Sequence, residues 1–335
     1  MTNVFLVHTE YHLMVTIRMI VSCFNKDSNI VYYTVRRIKN HPSLPTNDYD
    51  IVFIPLPAKD YGVKSVFLDM MATKPSNFIV FQDFLSDNIY LIYNFYRKRI
   101  KVSLVQDGFK PYPIWHRKHQ FVVIIKETTE LYLQMAKRRS LIPSFFLRSY
   151  KYGKLRYFKE LWLDYPDKLP YKSKKKINKI PDFTEESKTL CFSLFSYCKE
   201  KTIENAILFI GQPLKTEELR RREVDTIEKL LSIHSTKTFI YRPHPNMSKE
   251  QQDRIIQISG VNIYDKPMPI ELLMLSMDNS IIVSPWSTAL LTNNKKCRFY
   301  WIYKLIFDNF AQAAQYEIVN PTDHIIEVNS IEEVI

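Results

Sequence analysis

The segment Thr238-Phe239-Ile240-Tyr241-Arg242-Pro243-His244-Pro245 decides the fold class of the second half of the chain. Its first four residues are β-branched or aromatic and predict a buried strand, which the two prolines then end. The helical pattern of residues 249–258 follows this polar loop. A buried strand, a polar loop and a helix in that order are typical of an α/β protein with a parallel sheet.

Strands and helices alternate on both sides of this segment. One apolar run ends in Gly211-Gln212-Pro213, and another ends in Ser284-Pro285-Trp286-Ser287-Thr288. Ligands of open parallel sheets bind at the carboxyl ends of the strands, so we expect these loops to form a site. In the second half we predict strands at 206–210, 238–241, 261–264, 280–283 and 298–303, and helices at 217–232, 249–258, 269–277 and 289–291.

The first half shows the same alternation, which predicts two α/β domains in one chain. The 335 residues are too many for a single ordinary core. We place the domains at 1–185 and 186–335, with a crossing helix at 188–197. In the first domain we predict strands at 3–7, 29–35, 50–54, 77–81 and 100–105, helices at 13–23 and 85–96, and a further apolar run at 121–125.

The composition excludes several kinds of site. The chain has 5 glycines and contains neither G-x-G-x-x-G nor G-x-x-x-x-G-K-[ST], so a glycine-rich dinucleotide site and a P-loop are excluded. No C-x-x-C pair occurs among Cys23, Cys191, Cys198 and Cys297, which indicates reduced thiols rather than a zinc site or disulfides. The N-terminus has no basic region before a long apolar run, so we expect a cytoplasmic protein.

The net charge of +12 is concentrated in one segment. Residues 137–179 contain fourteen Lys or Arg and three acids, interleaved with aromatic residues. This segment, interpreted as helices plus a linker, would suit an anionic membrane surface or a phosphorylated lipid acceptor. A nucleic-acid surface and a solvated linker are the alternatives.

Three loops of the second half carry the candidate chemistry. The prolines on either side of His244 fix the direction of the imidazole, and with Arg242 it could bind a departing phosphate. Ser284, Ser287 and Thr288 could bind an anion at a helix N-terminus. Gly211, Gln212 and Pro213 follow the end of a strand, and the glycine predicts a close approach of the backbone to another group at this point. Together, the three loops predict a nucleotide phosphate site.

The ordered set of loops resembles the bacterial sialyltransferases of glycosyltransferase family 52. The motifs that carry the resemblance are Gln106-Asp107-Gly108, His244-Pro245, residues 284–288, the opening residues 4–13 with Thr9 and Tyr11, and the strand-Gly-x-Pro turn at Gly211. The resemblance implies a GT-B architecture, in which two Rossmann-like domains face a central cleft. It also implies inverting transfer from CMP-sialic acid to a sugar, most simply galactose, of lipooligosaccharide, O-antigen or capsule.

The resemblance also assigns roles to residues. Asp107 would be the general base, His244 would protonate or bind the departing phosphate, and Glu271 would accept from the ribose hydroxyls. Two positions depart from the family pattern, because Gln106 and Leu214 stand where the family carries acids. Glu217 is therefore an alternative base.

The sequence leaves other functions open. A transferase using CMP-Kdo or UDP-glucose, or extending polysialic acid, has the same fold, and a non-catalytic membrane- or RNA-binding protein or a nucleotide-sugar hydrolase remains an alternative. Asp48-Tyr49-Asp50 precedes a strand instead of following one, so we expect no metal and no cofactor. The expected partners are the nucleotide-sugar donor, a glycan or glycolipid acceptor, the inner face of an anionic membrane and a second copy of the chain, but not nucleic acid.

Overall fold

A computed structural model describes residues 1–35, 38, 42, 48–56, 62–115, 120–138, 140–143, 152–197, 202–266, 268–307, 316–317 and 320–335. The chain divides into two compact units, Met1–Cys198 and Lys199–Ile335. Each unit has its own apolar core. No helix in the described part of the chain is both long and apolar enough to cross a membrane.

The first unit is a parallel α/β sheet covered by helices. Its sheet has the strand order β3-β2-β1-β4-β5-β7-β8 over the described residues, and all neighbouring strands in this order are parallel. In chain order the elements are β1 (Thr2–Val7), α1 (Glu10–Cys23), β2 (Ser28–Thr34), β3 (Ile51–Leu56), α2 (Val63–Ala72), β4 (Asn77–Val80), α3 (Ser86–Arg97), β5 (Lys101–Val105), β6 (Ile114–Trp115), α4 (Gln120–Lys137), β7 (Glu160–Leu163), β8 (Lys176–Lys179) and α5 (Glu185–Leu194).

The second unit repeats this plan with the strand order β12-β11-β10-β14-β15-β17. Its neighbouring strands are also parallel. In chain order the elements are β9 (Ile203–Glu204), β10 (Ala206–Ile210), α6 (Glu217–Ile233), β11 (Thr238–Arg242), α7 (Lys249–Ile256), β12 (Val261–Ile263), α8 (Ile270–Leu275), β13 (Met277–Asp278), β14 (Ser280–Ser284), β15 (Cys297–Trp301), α9 (Tyr303–Ile306), β16 (Tyr316–Glu317) and β17 (Ile325–Glu327), with 3₁₀ turns at 166–168, 288–291 and 331–333 across the two units.

Both sheets reverse their strand order at one place. In the first unit the chain moves outward from β1 through β2 to β3, and then begins again with β4 on the other side of β1. In the second unit the same reversal separates β10 from β14. Crevices for ligands open at the carboxyl ends of the strands at such a switch point. The predicted α/β fold with two parallel sheets is confirmed.

Several predicted elements differ from the structure. The basic segment was expected to be helices plus a linker, but it contains β7 and β8, which pair in parallel and extend the first sheet. The apolar run at 121–125 is the start of α4, and the helix predicted at 289–291 is a short 3₁₀ turn. Both β7 and β8 lack a long apolar run, and β8 exposes its two lysines, so neither was predicted as a strand.

The boundary between the units lies after the one that the sequence suggested. Helix α5 packs against α1, and the hydroxyl of Tyr49 donates to Glu186 at the start of α5. The guanidinium of Arg18 donates to the carbonyl of Pro181 at 2.8 Å. These contacts attach residues 181–194 to the first unit, so the expected division after residue 185 cuts through a helix that belongs to that unit.

Candidate active site

Polar side chains from three neighbouring strand ends meet at Asp107 in the first unit. His12 Nε2 lies 3.1 Å from Oδ1 of Asp107, and Gln82 Nε2 donates to Oδ2 at 3.1 Å. Lys110 Nζ also contacts Oδ2. His12, Gln82 and Asp107 follow β1, β4 and β5, so the cluster sits at the switch point of the first sheet.

The hydrogen bonds of His12 define its tautomer. The backbone N–H of His8 donates to Nδ1 of His12 at 3.3 Å, so the ring proton is on Nε2, which donates to Asp107. The ring is fully buried and stacks on Phe81 with centroids 4.3 Å apart. His12 therefore donates to the Asp107 carboxylate and holds it in place, and its ring does not itself reach solvent.

The carboxyl group of Asp107 is held in its ionised form. Burial raises its pKa, but the interactions with His12 and then with Lys110 outweigh burial and hold the pKa well below its ordinary value. A carboxylate in this state is always available to accept a proton, although it is a weaker base than a free aspartate.

Gln106 points away from Asp107 and has a structural role. Its Oε1 accepts from the hydroxyl of Tyr112 at 2.5 Å and from the backbone N–H of Asp164 at 2.8 Å. The side chain is fully buried. The departure from the family pattern at this position therefore removes an acid from the core side of the strand end, not from the Asp107 cluster.

The predicted N-terminal loop residues support this cluster. Thr9 caps α1 by accepting from the backbone N–H of His12 at 3.2 Å. The ring of Tyr11 meets that of His12 edge to face, with centroids 6.2 Å apart. His8 Nε2 lies 3.1 Å from Oδ1 of Asn88. These contacts fix the start of α1, which carries His12.

Sequence analysis did not select His12, Gln82 or Lys110 as site residues. His12 was assigned to a loop because the apolar pattern of α1 begins only at Leu13, whereas the helix begins at Glu10. Gln82 had no motif around it. The available signal was the position of Gln82, which like Asp107 lies two residues after a buried parallel strand, whereas His12 lies five residues beyond β1 in the first turn of α1.

In the second unit, His244 presents a fixed hydrogen-bond donor. The backbone N–H of Asn246 donates to Nδ1 of His244 at 3.0 Å, which places the ring proton on Nε2. Among the described residues none forms a recorded hydrogen bond with Nε2. Burial lowers the pKa of His244, so the free side chain is neutral at pH 7. This geometry suits donation to an anionic oxygen.

Arg242, next to His244, is engaged with the protein backbone. Its guanidinium donates to the carbonyls of Tyr264, Lys266 and Met268 at 3.1, 2.8 and 3.2 Å. These bonds hold the loop after β12 against the end of β11. Phosphate binding by Arg242 stays a prediction, while its contacts give it a role in positioning this loop. Pro245 is exposed beside it.

The hydroxyls of the loop after β14 differ in their availability. Ser284 is fully buried, and its Oγ donates to the carbonyl of Ile210 at 2.8 Å and accepts from the backbone N–H of Ser287 at 3.1 Å. Ser287 caps the 3₁₀ turn by accepting from the backbone N–H of Ala289 at 3.2 Å. Thr288 is exposed. Ser284 thus links β14 to β10 across the switch point, and donor binding by these hydroxyls stays a prediction.

Gly211 is required by a side chain of the same unit. A Cβ atom at position 211 would lie 2.1 Å from the hydroxyl oxygen of Tyr241 and 2.9 Å from Met247 Cε. The close approach that the glycine predicted is therefore made to Tyr241, which lies on the neighbouring strand β11. Any larger residue at 211 would displace this buried ring.

A buried polar network fixes the Gly211-Gln212-Pro213 loop from behind. Gln251 donates through Nε2 to the carbonyl of Gln212 at 3.0 Å and accepts at Oε1 from the backbone N–H of Leu214 at 3.1 Å. Gln251 and Tyr241 both donate to Glu223, whose pKa burial raises to about 7. The side chain of Leu214 is buried in the core of this unit. An acid at position 214 would therefore face the core.

The remaining predicted acids lie in different environments. Glu217 is 63% exposed at the start of α6 and forms an ion pair with Arg254. The hydrogen bond and charge of Arg254 lower the pKa of Glu217. Glu271 is buried in the first turn of α8. The structure thus gives the alternative base Glu217 an arginine partner on the surface, whereas Asp107 lies within a cluster at a switch point.

The described residues contain no group of three or more His, Cys, Asp or Glu side chains arranged to hold a metal ion. Asp48 and Asp50 precede β3, at its amino end. Metal independence stays a prediction.

Solved structures of known proteins show the same fold. The GT-B domain of a sialyltransferase from Photobacterium damselae is 14% identical, with a TM-score of 0.51 over 90% of this chain and 91% of that one. A 2,6-sialyltransferase from a Photobacterium species, solved with CMP and lactose, is 12% identical, with a TM-score of 0.51 over 90% of this chain and 71% of that one. A UDP-GlcNAc 2-epimerase from Neisseria meningitidis is 12% identical, with a TM-score of 0.50 over 87% and 79%.

No curated protein matches the sequence as a relative. The sequence model of the alpha-2,8-polysialyltransferase (POLYST) family matches residues 80–298, which is more than half of the chain. The match includes Asp107, His244 and the loop after β14. The resemblance to bacterial sialyltransferases is thereby confirmed, and this chain belongs to the alpha-2,8-polysialyltransferase family of glycosyltransferases.

Proposed function

We propose that the chain transfers sialic acid from CMP-sialic acid, with inversion, to a terminal sugar of a bacterial surface glycan. The observation that carries the proposal is a pair of fixed groups, the ionised carboxylate of Asp107 at the switch point of the first sheet and the Nε2–H of His244 at the carboxyl end of β11. Asp107 would accept the proton of the acceptor hydroxyl, and His244 would donate to the phosphate of departing CMP. Such transfers pass through an oxocarbenium-like transition state, so a weak base that acts late is sufficient.

The acceptor is the finer part of the proposal. Sequence analysis suggested a terminal galactose, and the 2,6-sialyltransferase structure holds lactose. The family match instead favours a sialic acid acceptor, because the family is described as alpha-2,8-polysialyltransferase. The net charge of +12 and the cation of Lys110 beside Asp107 also suit an anionic acceptor. We therefore place sialylated acceptors ahead of galactose.

CMP is expected to be the nucleotide that protects the protein against heat. In a thermal-shift screen with CMP, UDP and GDP, a nucleotide at 100 times its dissociation constant adds about 2.7 kcal/mol of stability. Turnover of CMP-sialic acid should persist in EDTA with either a sialylated acceptor or lactose. The rate should be higher with the sialylated acceptor. Protection by UDP alone, or a strict need for a divalent ion, would contradict the proposal, and CMP release without any acceptor would indicate a hydrolase.

We also propose that the basic segment at 137–179 makes peripheral contact with an anionic membrane. The structure changes which residues could do so. Tyr152, Tyr157 and Phe158 are buried in the core of the first unit, so their rings do not face a membrane as the composition suggested. Lys175 is half-buried and donates to two backbone carbonyls. Residues 139 and 144–151, with Phe145, Phe146 and Tyr150, lie outside the described part of the chain.

Exchanging Lys172 and Lys174 for Glu is expected to weaken binding to vesicles of anionic lipid. Both side chains are exposed, and each lysine near such a surface contributes about 1 kcal/mol, so affinity should fall about 30-fold. Vesicle sedimentation measures this affinity. The control exchanges the exposed Lys64 and Lys98, outside the segment, which should change affinity far less. Equal losses in the two pairs would show that only net charge matters.

A further inference from the structure

Lys110 reaches the Asp107 carboxylate through a tight turn. Gly108 has a φ of 60°, in the left-handed region, and the backbone N–H of Lys110 donates to the carbonyl of Asp107 at 3.4 Å. This turn brings Lys110 Nζ onto Oδ2 of Asp107 and to 3.9 Å from the ring centroid of Phe84. The side chain of Lys110 is 47% exposed, whereas that of Asp107 is 17% exposed.

The donors divide unequally between the two oxygens of Asp107. Oδ2 accepts from Gln82 and Lys110, while Oδ1 accepts from His12. A carboxylate offers about four acceptor positions, two on each oxygen. Within the described residues, no further hydrogen bond to Asp107 is recorded. The open acceptor position is therefore on Oδ1.

We propose that Lys110 is a positioning residue that keeps Asp107 ionised and leaves Oδ1 as the oxygen that takes the acceptor's proton. This inference rests on the proposed role of Asp107 as the general base. In the step, the acceptor O–H bond breaks and its proton passes to Oδ1. The oxygen's electron pair forms the bond to the anomeric carbon, and the bond from that carbon to the phosphate oxygen breaks with its pair leaving on CMP.

Lys110 can be changed without altering the other groups around the carboxylate. The ring of His12 is fully buried, and its Nε2 donates to Oδ1, the oxygen that Lys110 does not contact. The buried hydroxyl of Tyr152, which interacts with Asp107 and with Asp83, donates to the carbonyl of Val105, and burial keeps its pKa well above its ordinary value. Lys110 is exposed, so its charge can be changed by substitution while the buried groups around Asp107 stay the same.

A charge series at position 110 tests the proposal. For wild type and Lys110→Arg, the ratio of kcat/KM at pH 5.5 to kcat/KM at pH 7.5 should be the same, because a cation keeps Asp107 ionised at both pH values and His244 contributes equally in the two proteins. For Lys110→Glu the second carboxylate beside Asp107 should favour protonation, so the ratio should fall below the wild-type ratio. The ratio for Lys110→Met should lie between those of wild type and Lys110→Glu. The exposed Lys98→Glu controls for a change in net charge and should keep the wild-type ratio.

A second measurement reads Asp107 without turnover. In ¹³C spectra of labelled aspartate carboxyls, the resonance that disappears in Asp107→Asn identifies Asp107. Its inflection should lie at higher pH in Lys110→Glu than in wild type. Equal ratios in wild type and Lys110→Glu, or identical titrations, would overturn the inference. If Asp107→Asn is inactive but the series shows no trend, the proposed function stands and only the inference fails. If Asp107→Asn is fully active, the proposed base itself is wrong.

Discussion

Asp107→Asn is expected to lower kcat by about 10²- to 10⁴-fold while CMP affinity stays near its wild-type value. The exchange removes the proposed acceptor of the hydroxyl proton but keeps the shape of the side chain. CMP affinity should persist because the loops proposed to bind the donor belong to the second unit. Steady-state kinetics with CMP-sialic acid, together with CMP titration by calorimetry, measures both quantities.

The amide in Asp107→Asn also places an NH₂ group among donors, so folding must be checked. One oxygen could still accept from His12, but the NH₂ would then face Gln82 and Lys110, which are themselves donors. We expect the free energy of unfolding to fall by about 1–3 kcal/mol. Most of the protein should stay folded, so the loss of rate is not explained by unfolding. Glu217→Gln is the matched control, since Glu217 is exposed and paired with Arg254. An active Asp107→Asn with an inactive Glu217→Gln would transfer the base to the loop after β10.

His244→Ala is expected to reduce both turnover and CMP binding, unlike Asp107→Asn. The Nε2–H is the donor proposed for the phosphate, and a hydrogen bond to a charged group contributes about 1.5–3 kcal/mol, or about 10- to 150-fold in affinity. His244→Gln retains an amide donor on a side chain of similar reach and should recover part of the loss. Retained CMP affinity in His244→Ala would show that the imidazole only packs between its prolines.

The pH dependence of CMP binding gives an independent test of His244. Burial lowers the pKa of the free side chain, and a bound phosphate anion would raise it. The complex would then bind more protons than the free protein, so affinity should rise as pH falls through the pKa of the complex. His244→Gln has no titrating ring and should lose this part of the dependence. Comparing the two proteins removes the contribution of the phosphate's own titration.

The sequence predicted the parallel α/β plan because fully buried strands are continuous apolar runs. Residues 206–210 and 280–284 show this pattern, and both form central strands. The strands β7 and β8 were missed because β8 is largely polar and lies toward the sheet edge. A strand at an edge need not be apolar on both faces, so composition alone assigned this segment to a linker.

The candidate site could be predicted only in part for a similar reason. Strand-end motifs located Asp107 and His244, whose neighbours Gly108 and Pro245 mark loops. Partners distant in sequence carry no such signal: His12 meets Asp107 across 95 positions. Equally, the sequence could not show that the hydroxyl of Ser284 is used to link two strands or that Arg242 holds a loop, because both depend on tertiary contacts.

The burial of Gln106 bears on how distant members of this family can be recognised. Its Oε1 accepts two hydrogen bonds, from Tyr112 and from the backbone of Asp164, and a glutamate at the same position has an oxygen that could accept both. The two hydrogen bonds at this position therefore require an acceptor atom at the right distance and do not require a charge. A search pattern that demands two consecutive acids before Gly108 would discard chains like this one, whereas a pattern that fixes only the aspartate and the glycine would retain them.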